Sequence, residues 1–235
     1  MVDRLTAAVL FTGGKDSTFA IEALRTAGFH VACLISVISE NPYSYMLHTP
    51  NIRTAELSAN ALQIPITFGS TKGEKERELE DIRETVSTAR DHYHFQFLGS
   101  GGLSSNYQKT RLENIAREID LKSINPLWGL DQRSYMKGLV QRGYEFVLTS
   151  VSSAGLDEKW LGRRIDANSL PLLLDLSDRY RFNPAFEGGE AETLVLDCPL
   201  FQNKTIEVTE QRKIWDGIRG KLVIEKARLV PKQNV

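Results

Sequence analysis

Cysteine is scarce in this sequence. Its 235 residues include two, Cys33 and Cys198, with no CxxC spacing. That excludes a disulfide framework and points to a reducing, cytoplasmic setting. Cys33 lies in an apolar run, where a buried thiol is the expected fate. An excess of charge of either sign is also missing. Lys and Arg number 29 against 30 Asp and Glu, a net charge of −1, so no global basic field recruits nucleic acid or an anionic membrane. Only a local basic patch would escape that reading. Long apolar runs are lacking too. The start, MVDRLTAAVLFTGG, places an acid and a base before an apolar run of about seven residues. Such a run is too short for a bilayer and carries no signal-peptide cleavage pattern; it reads as a buried first strand. His92 and His94 flank Tyr93 with no further ligand spacing, so no zinc site is expected. No internal repeat and no low-complexity stretch is found.

What is present is ordinary in amount and informative in order. Apolar residues make up 41% and charged residues 25%, as in folded domains with a real core. The first half alternates strand and helix signals. AAVLF (7–11) reads as a strand, 16–28 as a helix stopped at Gly28, and 30–39 as the next buried strand. A helix is expected over 52–64, a strand over 65–71, a charged helix over 73–90 with Leu79, Ile82 and Val86 on its apolar side, a strand over 94–103 and a helix over 106–120. This alternation predicts a doubly wound parallel sheet with helices on both faces. Right-handed crossovers then gather the strand-to-helix loops 12–17, 36–51, 68–74 and 101–108 at one edge, where ligands bind. From about residue 124 the texture changes. A loop with Pro126 and Trp128, a helix over 133–143, a strand over 144–153, a helix over 169–182 and strands around polar turns over 204–230 suggest a smaller α+β domain. The boundary is set at 1–124 and 125–235.

The stretch LFTGGKDSTFA (10–20) carries the first chemistry. After a buried strand, TGGKDST must turn sharply into a helix. Gly13 and Gly14 permit positive φ and close backbone approach. The N–H groups of the turn and the helix start form an anion site, and Asp16, Ser17 and Thr18 occupy a first helical turn that favours them. A Walker A loop requires GxxxxGK[ST] and a dinucleotide fingerprint GxGxxG; neither is present. The string resembles instead the SGGxDS pyrophosphate loop of the N-type ATP pyrophosphatases (the PP-loop superfamily), with Thr12 in the first place. The resemblance implies cleavage of ATP between the α- and β-phosphates. The backbone and the Thr12 and Ser17 hydroxyls would hold pyrophosphate, Lys15 would neutralise its charge, and Asp16 would position Mg²⁺ or the loop.

Further blocks extend the likeness along nearly the whole chain. HTPN (48–51), the stretch 104–132, GLDEKWLGRRID (155–166) and EGGEAETLVLDCPLF (187–201) resemble, in order, blocks of the diphthine–ammonia ligase (diphthamide synthetase) family. Phe186 stands where that family often has Gly, and Ala191 replaces a common aromatic. The resemblance implies a Rossmann-like HUP domain for ATP and a second, substrate-binding domain, with the site expected between them. It implies ATP-dependent amidation of diphthine, a modified histidine on translation elongation factor 2, with ammonium, through an acyl-adenylate. ATP and Mg²⁺ are the implied cofactors, with the metal ligands left open. The expected partners are elongation factor 2 carrying diphthine, ammonium and ATP, with a homodimer as a candidate assembly and no membrane or direct nucleic-acid contact.

The site residues implied are Lys15, Asp16, Glu187 and Glu190 for catalysis, and Thr12, Gly13, Gly14, Lys15, Asp16, Ser17, Thr18, Ser36 and Gly102 for ATP. For substrate they are His48, Tyr107, Gln108, Arg111, Gly155, Leu156, Trp160, Gly162, Gly188, Gly189, Glu190, Glu192 and Thr193. Each has a plainer alternative. The i, i+4 spacing puts Tyr107 and Arg111 on one helix face, which equally describes a surface arginine at a helix start. EGGEAET places three carboxylates around a tight turn, able to meet ammonium or a metal, or to form a solvated acidic loop. Within that loop Glu190 is the first choice for handling ammonium. In GLDEKWLGRRID, Asp157 starting a helix, Trp160 packing on a core and surface arginines are as consistent as a diphthine pocket. His48, beside a proline, suits a nucleotide contact or an exposed loop. Two other functions stay open. One is another PP-loop adenylating ligase acting on tRNA, against which the near-neutral charge argues. The other is a universal-stress-type ATP-binding module, which would not need the C-terminal glutamates.

Overall fold

The apolar run Thr6–Leu10 forms β1, the centre of a parallel sheet. A strand this apolar has both faces covered. β2 (His30–Ser39) pairs with it on one side and β4 (Phe97–Gly99) on the other; β3 (Ile66–Thr71) lies outside β2 and β5 (Lys122–Ile124) outside β4. The order is β3-β2-β1-β4-β5 and every pairing is parallel. The computed structural model describes residues 5–39, 53–73 and 77–232. They fall into two compact units, one with most of the residues up to 128 and the other with those from 129 onward together with Gly13–Lys15 and Glu56–Gln63.

In the first unit the helices are α1 (Lys15–Thr26), the start of α2 (Arg53–Leu62), α3 (Arg77–Tyr93) and α4 (Asn106–Glu118). On one sheet face Ala8, Cys33, Ile35, Val37 and Leu98 pack with Ile82, Val86 and Ala89 of α3 and with Leu112, Ile115 and Ala116 of α4. α3 is otherwise charged, so this narrow apolar stripe holds it. Burial of each large side chain contributes about 1.5–3 kcal/mol, and a charge at Val86 would break the layer. Burial also pushes the Cys33 thiol up to about 12, an inert structural cysteine. On the other face α1 buries Ala20, Ile21 and Leu24, and Leu24 comes so close to β4 that a Cβ on Gly99 would lie 2.9 Å from its Cδ1. The doubly wound sheet expected from the alternation is therefore the observed architecture. Because the chain leaves β1 toward α1 and leaves β4 toward α4, on opposite faces, the switch point lies at the carboxyl ends of these two strands.

Two elements differ from expectation. The strand expected over 94–103 shortens to Phe97–Gly99, because the chain leaves the sheet there and Gly101 lies on the start of α1. β5 carried no strand signal. At three residues, with Lys122 exposed, it is an edge strand that needs little apolar surface.

The second unit is α+β. It contains α5 (Gln132–Gln141), β6 (Glu145–Val151), a single 3₁₀ turn at Glu158–Trp160, β7 (Arg164–Ile165), α6 (Leu170–Tyr180), β8 (Ala191–Asp197), β9 (Lys204–Trp215) and β10 (Gly220–Pro231). Asp131 caps α5 by accepting from Ser134 N at 2.9 Å. The sheet order is β7-β6-β10-β9, with β8 antiparallel to β6. β9 and β10 form a long hairpin whose cross-strand pairs include Arg228–Glu207 and Lys226–Glu210. These pairs are exposed and each adds little stability.

Candidate active site

β1 ends where Phe11 N donates to Ile35 O at 2.8 Å. The chain then turns through Thr12 and Gly13, whose φ is +78°. Ser17 Oγ accepts from Thr12 N at 3.3 Å and lies 3.4 Å from Thr12 Oγ1, so two hydroxyls close the loop around the start of α1. Asp16 is in the first turn of that helix, and Thr18 is buried. The helix start directs partial positive charge at the loop. The loop after β4 lies directly on it. A Cβ on Gly101 would fall 2.5 Å from Asp16 C and 2.7 Å from Ser17 N, so only glycine permits the approach; Gly102 follows, half-buried. On β2, Ser36 is 1% exposed and its hydroxyl has no hydrogen-bond partner among the described residues. At the start of α4, Ser105 accepts from Gln108 N. Tyr107 is 42% exposed there, and the Arg111 guanidinium stacks 3.5 Å from its ring centroid. The shared helix face is thus a real contact. His48 lies outside the described residues.

The second unit holds the tip of the Gly13–Gly14 loop. Gly13 O accepts from Val195 N at 3.0 Å, and Lys15 N donates to Thr193 Oγ1 at 3.1 Å, so the tip is tied to β8. The Lys15 side chain is 2% exposed. Its ammonium donates to Ala185 O at 2.7 Å and sits 5.2 Å from the Phe186 ring centroid. A carbonyl and an aromatic face offset part of the desolvation of this buried cation.

Ala185 and Phe186 belong to a tightly bonded turn. Glu190 Oε1 accepts from Asn183 N and Glu190 Oε2 from Gly188 N, both at 2.9 Å. Asn183 Oδ1 accepts from Ala185 N, and Asn183 O from Phe186 N. Gly189 N donates to Phe186 O, and Ser152 binds Glu190 O through its N–H and Gly189 O through its hydroxyl. Phe186 itself has φ +67°. That left-handed conformation favours glycine. Glu187 is half-buried at the same turn. Glu192 and Thr193 are consecutive on β8 and point to opposite faces. Glu192 is in register with Ser150 of β6, to which Lys221 of β10 is also paired. Burial pushes the Glu192 carboxyl up to about 8, against the pull of Lys221.

The block 155–166 is built into the same unit's core. A Cβ on Gly155 would lie 2.4 Å from the Tyr180 ring, and Gly162 N donates to Leu148 O at 2.9 Å. Leu156 is buried, Trp160 is 4% exposed, and Arg163 stacks on the outer side of the indole at 4.5 Å. Asp157 caps the short turn by accepting from Lys159 N. The structure therefore brings together Gly13, Lys15, Thr193 and the turn closed by Glu190. It turns the Glu192 carboxyl to the other face of its strand. The residues that meet the Lys15 ammonium, Ala185 through its carbonyl and Phe186 through its ring, were not among those expected from the sequence. A carbonyl leaves no mark in residue type; the departure from Gly at Phe186 was the one available signal. Among the described residues no group of three His, Cys, Asp or Glu could hold a metal ion, and no helix is long and apolar enough to cross a membrane.

Known proteins resemble the chain along most of its length. The model of the diphthamide synthase N-terminal domain matches residues 5–123, and that of the diphthamide synthase C-terminal domain matches residues 131–230. The diphthine–ammonia ligase of Bos taurus is 29% identical over 218 residues, 85% of this chain and 81% of that protein. That of Danio rerio is 29% identical over 215 residues, covering 84% of each. The Schizosaccharomyces pombe diphthine–ammonia ligase is 30% identical over 213 residues, 84% of this chain but 35% of a longer protein. Among solved structures, the U34-tRNA thiolase NcsA from Methanococcus maripaludis is similar at a TM-score of 0.36 and 17% identity, over 56% of this chain and 55% of that chain. With both of its domain models matched in order, the chain belongs to the diphthamide synthase family.

Proposed function

We propose that this protein is a diphthine–ammonia ligase that uses ATP and ammonium to amidate diphthine on translation elongation factor 2. The observation that carries the reading is the match of both family domains, in a chain whose glycine-rich loop follows β1 at the sheet's switch point.

The chemistry follows from the substrate. A carboxylate is a poor electrophile and needs a leaving group. A diphthine carboxylate oxygen attacks the α-phosphorus, the bond to the α,β-bridging oxygen breaks, and pyrophosphate leaves. Ammonium gives up one proton to become the nucleophile. Ammonia attacks the acyl carbon, the bond to AMP breaks, and nitrogen loses a second proton as the amide forms. Gly13, Gly14 and Thr18 supply backbone N–H groups, Thr12 and Ser17 supply hydroxyls, and Lys15, whose own N–H is taken by Thr193, neutralises charge on the pyrophosphate through its ammonium. The buried hydroxyl of Ser36, without a partner among the described residues, and the close seat of Gly101 on the helix start support a nucleotide at this edge. Asp16 would hold Mg²⁺ together with the phosphates, since this metal binds through one or two carboxylates plus phosphates, and the ion would supply neutralisation of phosphate charge.

His48, Tyr107, Gln108 and Arg111 contact ATP or the incoming substrate. Gly155, Leu156, Trp160 and Gly162 shape the diphthine pocket or dock the elongation factor. Glu190 is the first choice from the sequence for meeting ammonium; because its two oxygens accept from Asn183 N and Gly188 N, we assign that role instead to Glu187, the other catalytic carboxylate expected at this turn. Such a protein works where elongation factor 2 does, in the cytoplasm. The test is pyrophosphate release with diphthine-bearing elongation factor 2, ATP and ammonium, with mass spectrometry of the factor for the acid-to-amide change. Release and amidation with the complete set alone are expected. Turnover with tRNA in place of the factor, or ATP bound with no turnover, overturns the reading.

A further inference from the structure

We infer that Glu190 is a positioning residue whose carboxylate fixes the Ala185 carbonyl on the Lys15 ammonium, so that it serves the adenylation step and not the capture of ammonium. The inference rests on the proposed reaction, in which Lys15 acts on the departing pyrophosphate.

The two oxygens of Glu190 accept from Asn183 N and Gly188 N, both at 2.9 Å. These N–H groups stand at the two ends of a six-residue turn, and the carboxylate joins them. Charge-assisted bonds of this kind are the strong ones. Inside the turn, Asn183 Oδ1 holds Ala185 N at 2.9 Å and Asn183 O holds Phe186 N. The Ala185–Phe186 peptide is thus held through its Phe186 N–H on one side, and its other side presents the Ala185 carbonyl to Lys15 Nζ at 2.7 Å. Phe186, held at φ +67°, sets its ring 5.2 Å from the same ammonium. The turn is anchored in its own unit by Ser152, which donates to Glu190 O and Gly189 O. Thr193, three residues past Glu190, accepts from the backbone N–H of Lys15. One short stretch of chain therefore grips Lys15 at its backbone and at its tip. A lysine free to rotate would lose several torsions each time pyrophosphate formed, and pre-positioning removes that cost.

Two readouts test this. The first is ATP–pyrophosphate exchange driven by diphthine-bearing elongation factor without ammonium, set beside the KM for ammonium in the full reaction. Glu190→Gln puts an NH₂ against one of the two N–H donors. It is expected to slow exchange by about tenfold or more while the ammonium KM stays within about twofold. Normal exchange with a raised ammonium KM overturns the inference. Absence of exchange in the unsubstituted protein is a failure of the proposed function instead. The second readout needs no turnover: acylation of Lys15 by an amine-directed reagent, followed by peptide mass spectrometry with exposed Lys226 as reference. Faster labelling of Lys15 in Glu190→Gln, with the rate at Lys226 unchanged and a cooperative thermal melt retained, is expected. Equal labelling overturns the inference. Should Glu190→Gln not fold, Asn183→Ala, which removes the acceptor for Ala185 N, is read by the same two assays with the same expectations.

Discussion

Two Gly-Gly pairs use one backbone freedom for opposite ends. Gly13–Gly14 leads into α1 beside the Thr12 and Ser17 hydroxyls, and its N–H groups suit an anion that comes from outside. Gly188–Gly189 closes a turn on an anion of its own, Glu190, whose two oxygens are taken by Asn183 N and Gly188 N. In the first pair the adjoining charge is Lys15, buried and held by a carbonyl far along the chain. In the second the charge folds back on the turn that carries it. A glycine pair beside a charged residue thus announces a tight turn, and the partners of the charge decide whether the turn receives a ligand or completes itself.

The comparison can be broken or sharpened by substitution. The largest effect is expected for Lys15→Met, which should lower amide formation by about 10²–10³-fold at saturating ATP, measured as pyrophosphate release. Next come the glycines. Gly101→Ala forces a methyl against the rigid backbone of Asp16 and Ser17, whereas Gly188→Ala meets the movable end of Glu190, 2.7 Å from Oε1. Gly101→Ala should therefore cost more activity, roughly 10–10²-fold through a displaced helix start, and a larger loss in Gly188→Ala would reverse the contrast. Phe186→Gly tests the strain in the second turn. Losing a buried aromatic costs about 3–5 kcal/mol and relief of positive φ returns about 1–3, so a net loss of about 2 kcal/mol is expected in chemical denaturation.

The smallest effect concerns pH. The Glu192 carboxyl is pushed from 4.5 to about 8 by burial, so the folded state binds this proton more tightly than the unfolded chain. Its contribution is present in full below pH 4.5 and is lost as pH rises through about 8. Glu192→Gln should flatten that slope by roughly 1–2 kcal/mol across the interval, read from thermal melts at several pH values.

Much of the first unit was legible because its signals are local. Strand β2 was expected at 30–39 and observed at His30–Ser39, and the sharp turn into α1 was expected from Gly13 and Gly14 and is observed, with Gly13 at φ +78°. β5 was not legible because an edge strand of three residues needs no apolar pattern. Tyr107 and Arg111 were readable as a pair because helical spacing is enough to bring them together. Glu190 was readable as a charged residue in a turn, but not as the group that closes it, since that depends on which N–H groups the backbone turns inward.

By itself, then, the sequence determined the alternation of elements, the parallel sheet, the switch-point loop and the family blocks, because periodicity and turn chemistry act over a few residues. Only the tertiary structure decided that Lys15 meets the carbonyl of Ala185, that Phe186 takes the conformation of a glycine beside it, and that Glu192 faces away from both. Those outcomes rest on a carbonyl, a backbone dihedral and the direction of a strand's side chains, none of which is written in the identity of a residue until the whole chain has packed.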